Sequence, residues 1–350
     1  MVKDVKEGIP IMKLSILDQS PVTEGKTAAD ALMATLKLAE AADRLGYTRY
    51  WVAEHHQLYN LASPSPEIMI SKIADRTSSI RVGSGAVLLP HYSPYKVAET
   101  FHMLSVLHPG RIDLGVGRAP GGPPHATMAL SGNYLENVRR FPEDMCDLAG
   151  WLSNSLPGDH ELKEAEAHPL PGIPPELWLL GTSEKSAKLA AEIGVPLAFG
   201  HFMSNSDGPA AVHQYRTDFQ PSHFSSEPEV IIAISAICAE SDEEAARLAR
   251  NAAARSVIKE EQDLGRKVPF ITNPVEDLYK HLTPEQQETA DMKMEKDVIG
   301  SPSVIKQKLT GLAAQYQAEE LMIVTITPDY ESRVRSYELL ADVFLREGGS

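Results

Sequence analysis

The sequence predicts a closed α/β barrel, the (β/α)8 TIM barrel, with insertions at its C-terminal face. Three observations carry this. Short apolar runs alternate with longer helical patterns along most of the chain, the mark of parallel βα units. Eight such units can be counted, enough to close a sheet on itself. The 350 residues also suit one barrel, which runs to about 250 residues and beyond 400 with insertions. A single domain over 1–350 is therefore expected.

The first strand is read at Lys13–Ser20, and the helix after it starts at Thr27, with Asp30 three residues on and Gly46 as its stop. Strand two is Arg49–Glu54, followed by a helix near Pro66–Ser78. Strand three spans Ile80–Leu89. Ser93–Pro94 opens a helix that carries Val97, Phe101, Leu104 and Leu107 on one face. Strand four is Arg111–Gly117, and a long loop leads to a helix near Tyr134–Asn154. Ser155–Pro175, rich in proline, glycine and acid, reads as a surface excursion. Strand five is Leu177–Gly181 with its helix at Glu184–Ile193. Strand six is Pro196–Phe202, strand seven Val230–Ala239, and Ser241 caps the alanine-rich helix after it. Val257–Gly300 is charged and helix-prone without a clear strand, and reads as an inserted lid. A helix at Ser301–Gln317, strand eight at Leu321–Ile326 and a final helix complete the count.

Composition excludes several functions. A net charge of −15 repels phosphate backbones and anionic membrane surfaces, so nucleic acid and lipid are poor partners. No run of about 18 apolar residues suggests a membrane span. Met1–Lys13 lacks the apolar core of a signal peptide, so a cytoplasmic location is expected. Cys146 and Cys238 lie far apart and read as small hydrophobes of a reducing compartment.

Active sites of such barrels form where the strands end at their C-terminal side. Strand two delivers Glu54-His55-His56 there. Successive strand side chains face opposite ways, so the two histidines share a metal only if the strand has already ended. A histidine acting as general base is the better reading; hydrogen-bonded loop histidines are the plainer one. Gly83-Ser84-Gly85-Ala86 puts glycine in mid-strand, which suits a flat ring lying on the backbone or a bulge needed for closure. The run Gly115-Val116-Gly117-Arg118-Ala119-Pro120-Gly121-Gly122 fails as a dinucleotide fingerprint, because Ala119-Pro120 displaces the third glycine and no helix opens there. Arg118 suits a phosphate or a structural ion pair. Ser183, with Ser186 in the next turn, starts the helix after strand five, a natural if unspecific anion site. Gln19, His91, Tyr92 and Phe202 are candidate pocket residues.

Three stretches in order, WVAEHH, RVGSGAVLLPHYSP and LHPGRIDLGVGRAPG, give the chain its resemblance. It resembles the bacterial luciferase-like flavin-dependent monooxygenase family, and within it the single-chain MsnO8-like group. The resemblance runs over nearly the whole chain. It implies reduced FMN (FMNH2) at the barrel mouth, reacting with O2 through a 4a-hydroperoxyflavin to oxidise a small organic substrate. It places the catalytic histidine at His55 and a ring-supporting cis peptide at Gly85–Ala86. It assigns the phosphate to Arg118, after Gly117, and to the turn at Gly181, Thr182, Ser183 and Ser186. It also implies a homodimer fed by a separate NAD(P)H:flavin reductase. No metal is expected. Two positions depart from the family: Gly117 stands where the light-producing subunit has cysteine, so light emission is not implied, and Glu184–Lys185 stand where relatives carry small or aromatic residues. The alternatives are a deazaflavin-dependent oxidoreductase, a non-catalytic flavin-binding protein, and a metal-dependent hydrolase using His55, His56 and Asp18.

Overall fold

The computed structural model describes residues 12–263 and 277–346. The eight predicted units are present. In chain order the first half holds β1 (Lys13–Asp18), α1 (Ala28–Leu45), β2 (Arg49–Val52), α2 (Pro66–Ala74), β3 (Arg81–Ser84), β4 (Val87–Leu88), α3 (Pro94–Leu107), β5 (Ile112–Gly117), α4 (Pro124–Leu130) and α5 (Tyr134–Leu152). The second half holds β6 (Glu176–Gly181), α6 (Glu184–Ile193), β7 (Leu197–Gly200), α7 (Gly208–Asp218), β8 (Val230–Cys238), α8 (Asp242–Asp263), α9 (Pro284–Met294), β9 (Val298–Gly300), α10 (Pro302–Tyr316), β10 (Glu320–Val324) and α11 (Tyr330–Phe344). All strand pairs are parallel, and β10 pairs with both β1 and β8, which closes the barrel.

Local chemistry sets the boundaries. Thr27 and Asp30 form a reciprocal capping box at the start of α1, and Gly46 ends it at φ 87°. Ser241 receives the backbone N–H of Glu244 on its hydroxyl as α8 begins. The expected third strand is broken: β3 and β4 flank a cis peptide at Gly85–Ala86, the place the resemblance indicates. The stretch expected to lack a strand contains β9, which pairs with the far end of β8 outside the ring. Three residues are too few to show an alternating pattern, so sequence could not reveal it. The middle of the expected lid, 264–276, lies outside the described residues. No helix among them is long and apolar enough to cross a membrane.

Alternation along the strands sorts side chains into two cores. Leu14, Ile16, Tyr50, Val52, Leu114 and Ile232 face the helices, while Leu17, Trp51, Trp178, Ile231 and Met322 fill the barrel. At the N-terminal end the interior is ionic. Arg49 reaches Asp113 at 2.9 Å, Glu176 at 2.8 Å and Glu320 at 3.0 Å, and its guanidinium lies 4.7 Å from the Trp178 ring centroid. Arg81 adds a second contact to Asp113 at 2.6 Å, and Trp51 Nε1 donates to the same carboxylate at 2.8 Å. Near the other end of β1, Asp18 binds Arg333 of the last helix at 2.7 Å and accepts from Tyr50 and from the Ser20 backbone. Burial alone would raise the Asp18 carboxyl, but the Arg333 charge and these hydrogen bonds hold it below the usual range.

Removing Arg49 leaves the buried Glu320 carboxylate without its ion-pair partner and Asp113 with Arg81 alone. Arg49→Ala is expected to lower unfolding stability by about 3–5 kcal/mol, read from the urea midpoint at unchanged slope. A loss below about 1 kcal/mol would mean that this ionic floor is dispensable.

Candidate active site

Toward the C-terminal end the barrel filling changes character. The inward positions there are small: Ala53, Gly85, Gly117, Gly181, Ala198, Gly200 and Ala233. They leave a cavity of about 430 Å³ whose wall also includes Leu17, Trp51, Phe141, Leu180, Phe202 and Met322. The nine site residues expected from sequence, His55, Gly85, Ala86, Gly117, Arg118, Gly181, Thr182, Ser183 and Ser186, all line it. Gln19 and Phe202 line it as well, whereas His91 and Tyr92 do not.

The two histidines part company because β2 ends at Val52, before the motif begins. The backbone N–H of His55 donates to the Ser63 carbonyl, and that of His56 to the Gly121 carbonyl. His56 Nε2 lies 2.7 Å from the buried Glu54 carboxylate, which also accepts from the Tyr92 hydroxyl at 2.7 Å and the Leu88 N–H at 3.1 Å. Glu54 thus ties the end of β2 to the segment after the cis peptide. Its role could not be read from sequence, since its partners come from distant positions. His55 instead faces the cavity, with Nδ1 buried and without a hydrogen-bond partner among the described residues.

The three residues of the metal alternative are not brought together. His56 is held by Glu54, and Asp18 by Arg333 and Tyr50. No cluster of three metal-ligating side chains occurs among the described residues.

Arg118 directly follows β5 and lines the same cavity. Its carbonyl accepts from the Tyr134 hydroxyl at 2.7 Å, and Tyr134 stacks on His91 at 5.1 Å between ring centroids. The half-buried guanidinium has no ion-pair or hydrogen-bond partner among the described residues. The neighbouring strand β6 leads into the turn that starts α6. Ser186 donates to the Ser183 carbonyl at 2.8 Å and accepts from the Ser183 N–H at 3.2 Å, which folds the helix start tightly onto β6. A Cβ on Gly181 would lie 2.1 Å from the Ser186 hydroxyl oxygen, so this approach requires glycine. Glu184 and Lys185 are exposed and absent from the cavity wall, so the acid that departs from the family pattern leaves the pocket side free.

Gly121 and Phe141 are among the wall residues that the sequence did not single out as site residues. Gly121, at φ 69°, brings the loop after Arg118 onto His56, and the neighbouring Gly122 would place a Cβ 2.2 Å from the His56 carbonyl oxygen. The paired glycines were the available signal. Phe141 enters from α5, and nothing in the helix pattern distinguishes it from core.

Burial pushes the His55 imidazole down to about 4, opposed in part by the Glu54 charge. The unfolded chain, with histidine near 6.5, then holds the proton more readily than the folded one. His55 accordingly favours the fold above about pH 6.5, and that contribution is lost as pH falls through about 4. NMR titration should find His55 neutral at pH 7 with a midpoint near 4; a midpoint at or above 6.5 would contradict the burial described.

Comparison with known proteins agrees with this geometry. The family model for luciferase-like monooxygenase matches residues 12–316. The N-acetyl-S-alkylcysteine monooxygenase of Bacillus subtilis is 37% identical over 339 residues, covering 96% of this chain and 99% of its own. The solved structure of apo-MsnO8 superposes with a TM-score of 0.80 at 37% identity, over 96% of this chain and 98% of its own. The fold alone is shared with the oxygenating constituent of 3,6-diketocamphane monooxygenase from Pseudomonas putida, solved in complex with FMN (TM-score 0.69, 19% identity, 95% and 97% covered). The chain belongs to the luciferase-like monooxygenase family, oxidoreductases that use molecular oxygen.

Proposed function

We propose that this chain is a flavin-dependent monooxygenase that binds reduced FMN in the barrel-mouth cavity and oxidises a small organic substrate. One observation carries the reading: a half-buried arginine without a partner among the described residues and a helix start follow neighbouring strands and line one apolar cavity walled by glycine and alanine. An anionic tail fits the first pair and a flat ring fits the second. The FMN complex of the Pseudomonas putida fold relative supports the same choice.

Bound there, reduced FMN supplies the electrons with which O2 is activated for oxygen transfer. The protein's part is positioning and proton handling. Arg118 and the hydroxyls of Ser183 and Ser186 would hold the phosphate, and Gly85–Ala86 with Gly117 would support the ring. His55, neutral at pH 7 and shielded from bulk water, would take or give a proton at its imidazole. Apolar walls would exclude water from the reacting atoms. The chain carries no nicotinamide fingerprint, so a separate NAD(P)H:flavin reductase is the expected source of reduced flavin.

A homodimer is part of this reading. Met103, Val106 and Leu107 lie at helical spacing on α3 and are exposed, as is Ile68 on the adjoining α2. A contiguous apolar face of this kind suits a two-fold contact with a second copy. Met103→Asp with Val106→Asp should shift the sedimentation of the protein from dimer to monomer.

The flavin reading is tested by anaerobic titration with reduced FMN and reduced riboflavin. Arg118→Ala should weaken FMN binding roughly ten- to hundredfold while leaving riboflavin binding unchanged, since only FMN carries the phosphate. His55→Ala should bind flavin normally and lose substrate oxidation. Equal loss for both flavins would remove Arg118 from the phosphate, and undiminished turnover would remove His55 from the reaction.

A further inference from the structure

A second cavity, of about 460 Å³, lies beside the first and shares Gln19 with it as a lining residue. It is framed by the segments after β1, β2 and β10 and by one face of α8. Leu61, Ile258, Leu278 and Ile326 supply apolar wall. Among the described residues its lining includes the guanidinium of Arg255 and the carboxylate of Glu24.

Arg255 is incompletely satisfied. Its Nε is buried with no hydrogen-bond partner among the described residues, while NH1 is held by Glu24 at 2.5 Å. Glu24 sits on the turn before Gly25 with its side chain 53% exposed, so it can return to water without unburying anything. A guanidinium offers a planar fork that fits two carboxylate oxygens, and here one edge is loosely taken by a surface acid and another donor is unmet. Replacing Glu24 by another carboxylate leaves the charge count at Arg255 unchanged.

We propose that this cavity seats the organic substrate of the monooxygenase, and that the substrate is a carboxylate recognised by Arg255. Its carbon body lies along the apolar wall and its reacting end passes Gln19 into the first cavity. This assignment rests on the flavin reading of that first cavity, and it adds the chemical class of the substrate.

The test uses the full chain, anaerobically, with and without reduced FMN. Straight-chain carboxylates from butanoate to decanoate, and 4-phenylbutanoate, are titrated by calorimetry alongside their primary amides. At least one carboxylate should bind tenfold or more tightly than its amide. Arg255→Gln should abolish that preference while FMN affinity and thermal unfolding stay as in the parent. Glu24→Gln should tighten carboxylate binding severalfold, because the competing acid is gone. Absence of preference in every pair, preference that survives Arg255→Gln, or unchanged or weaker binding in Glu24→Gln overturns the assignment. FMN binding without carboxylate preference defeats this inference alone; carboxylate preference without FMN binding defeats the flavin reading alone.

Discussion

The interior of a closed eight-stranded barrel has to be filled, and the way this one is filled dictates the rest. From the N-terminal end upward the inward positions carry Arg49, Asp113 and Glu320, then Trp51 and Trp178, and then a layer of alanine and glycine. The lower two layers use the available volume fully. Two tryptophans meet edge to face at 5.7 Å, and the arginine stacked on Trp178 neutralises acids from β5, β6 and β10. The upper layer stops short, so the same alternation that packs the floor leaves room at the mouth. A cavity is therefore a consequence of side-chain size at a few strand ends rather than of any special backbone path.

Holding that cavity open requires loops that do not collapse into it. Glu54 is the anchor on one side: a single buried carboxylate joins His56, Tyr92 and the Leu88 N–H, and so ties the end of β2 to the stretch after the cis peptide. The stack of His91 on Tyr134, whose hydroxyl donates to the Arg118 carbonyl, ties in the stretch after β5. On the other side the close packing of Ser186 against Gly181 sets where α6 begins. The side chains left over, His55 and Arg118, face the cavity because their neighbours are committed to structure. The division between framework and reacting groups follows from hydrogen-bond supply.

Much of this was legible in the chain. Alternation gave the strands, caps gave the helices, and glycine inside strands three and four marked where the wall is thin. The nine catalytic and cofactor-binding residues expected at the mouth line the cavity, largely because strand ends of one sheet must converge once it closes. What escaped has physical reasons. The run Arg49–Glu54 overran its strand by two residues, so alternation could not decide between His55 and His56. Tyr92 and His91 looked like pocket residues, yet they serve Glu54 and the Pro120 carbonyl, contacts made across 38 and 29 positions of chain. Strand β9 is shorter than any periodicity. Arg255 drew no notice on a charged helix, where its incomplete pairing is visible only in three dimensions.

The central claim is that an FMN ring lies on the glycine-rich wall with its phosphate between Arg118 and the start of α6. A crystal structure of the chain with FMN tests it directly. The account predicts phosphate oxygens within hydrogen-bond distance of the Arg118 guanidinium and of Ser183 or Ser186, with the ring beside Gly85–Ala86. FMN found elsewhere, or a phosphate turned to solvent with Arg118 uninvolved, would contradict it.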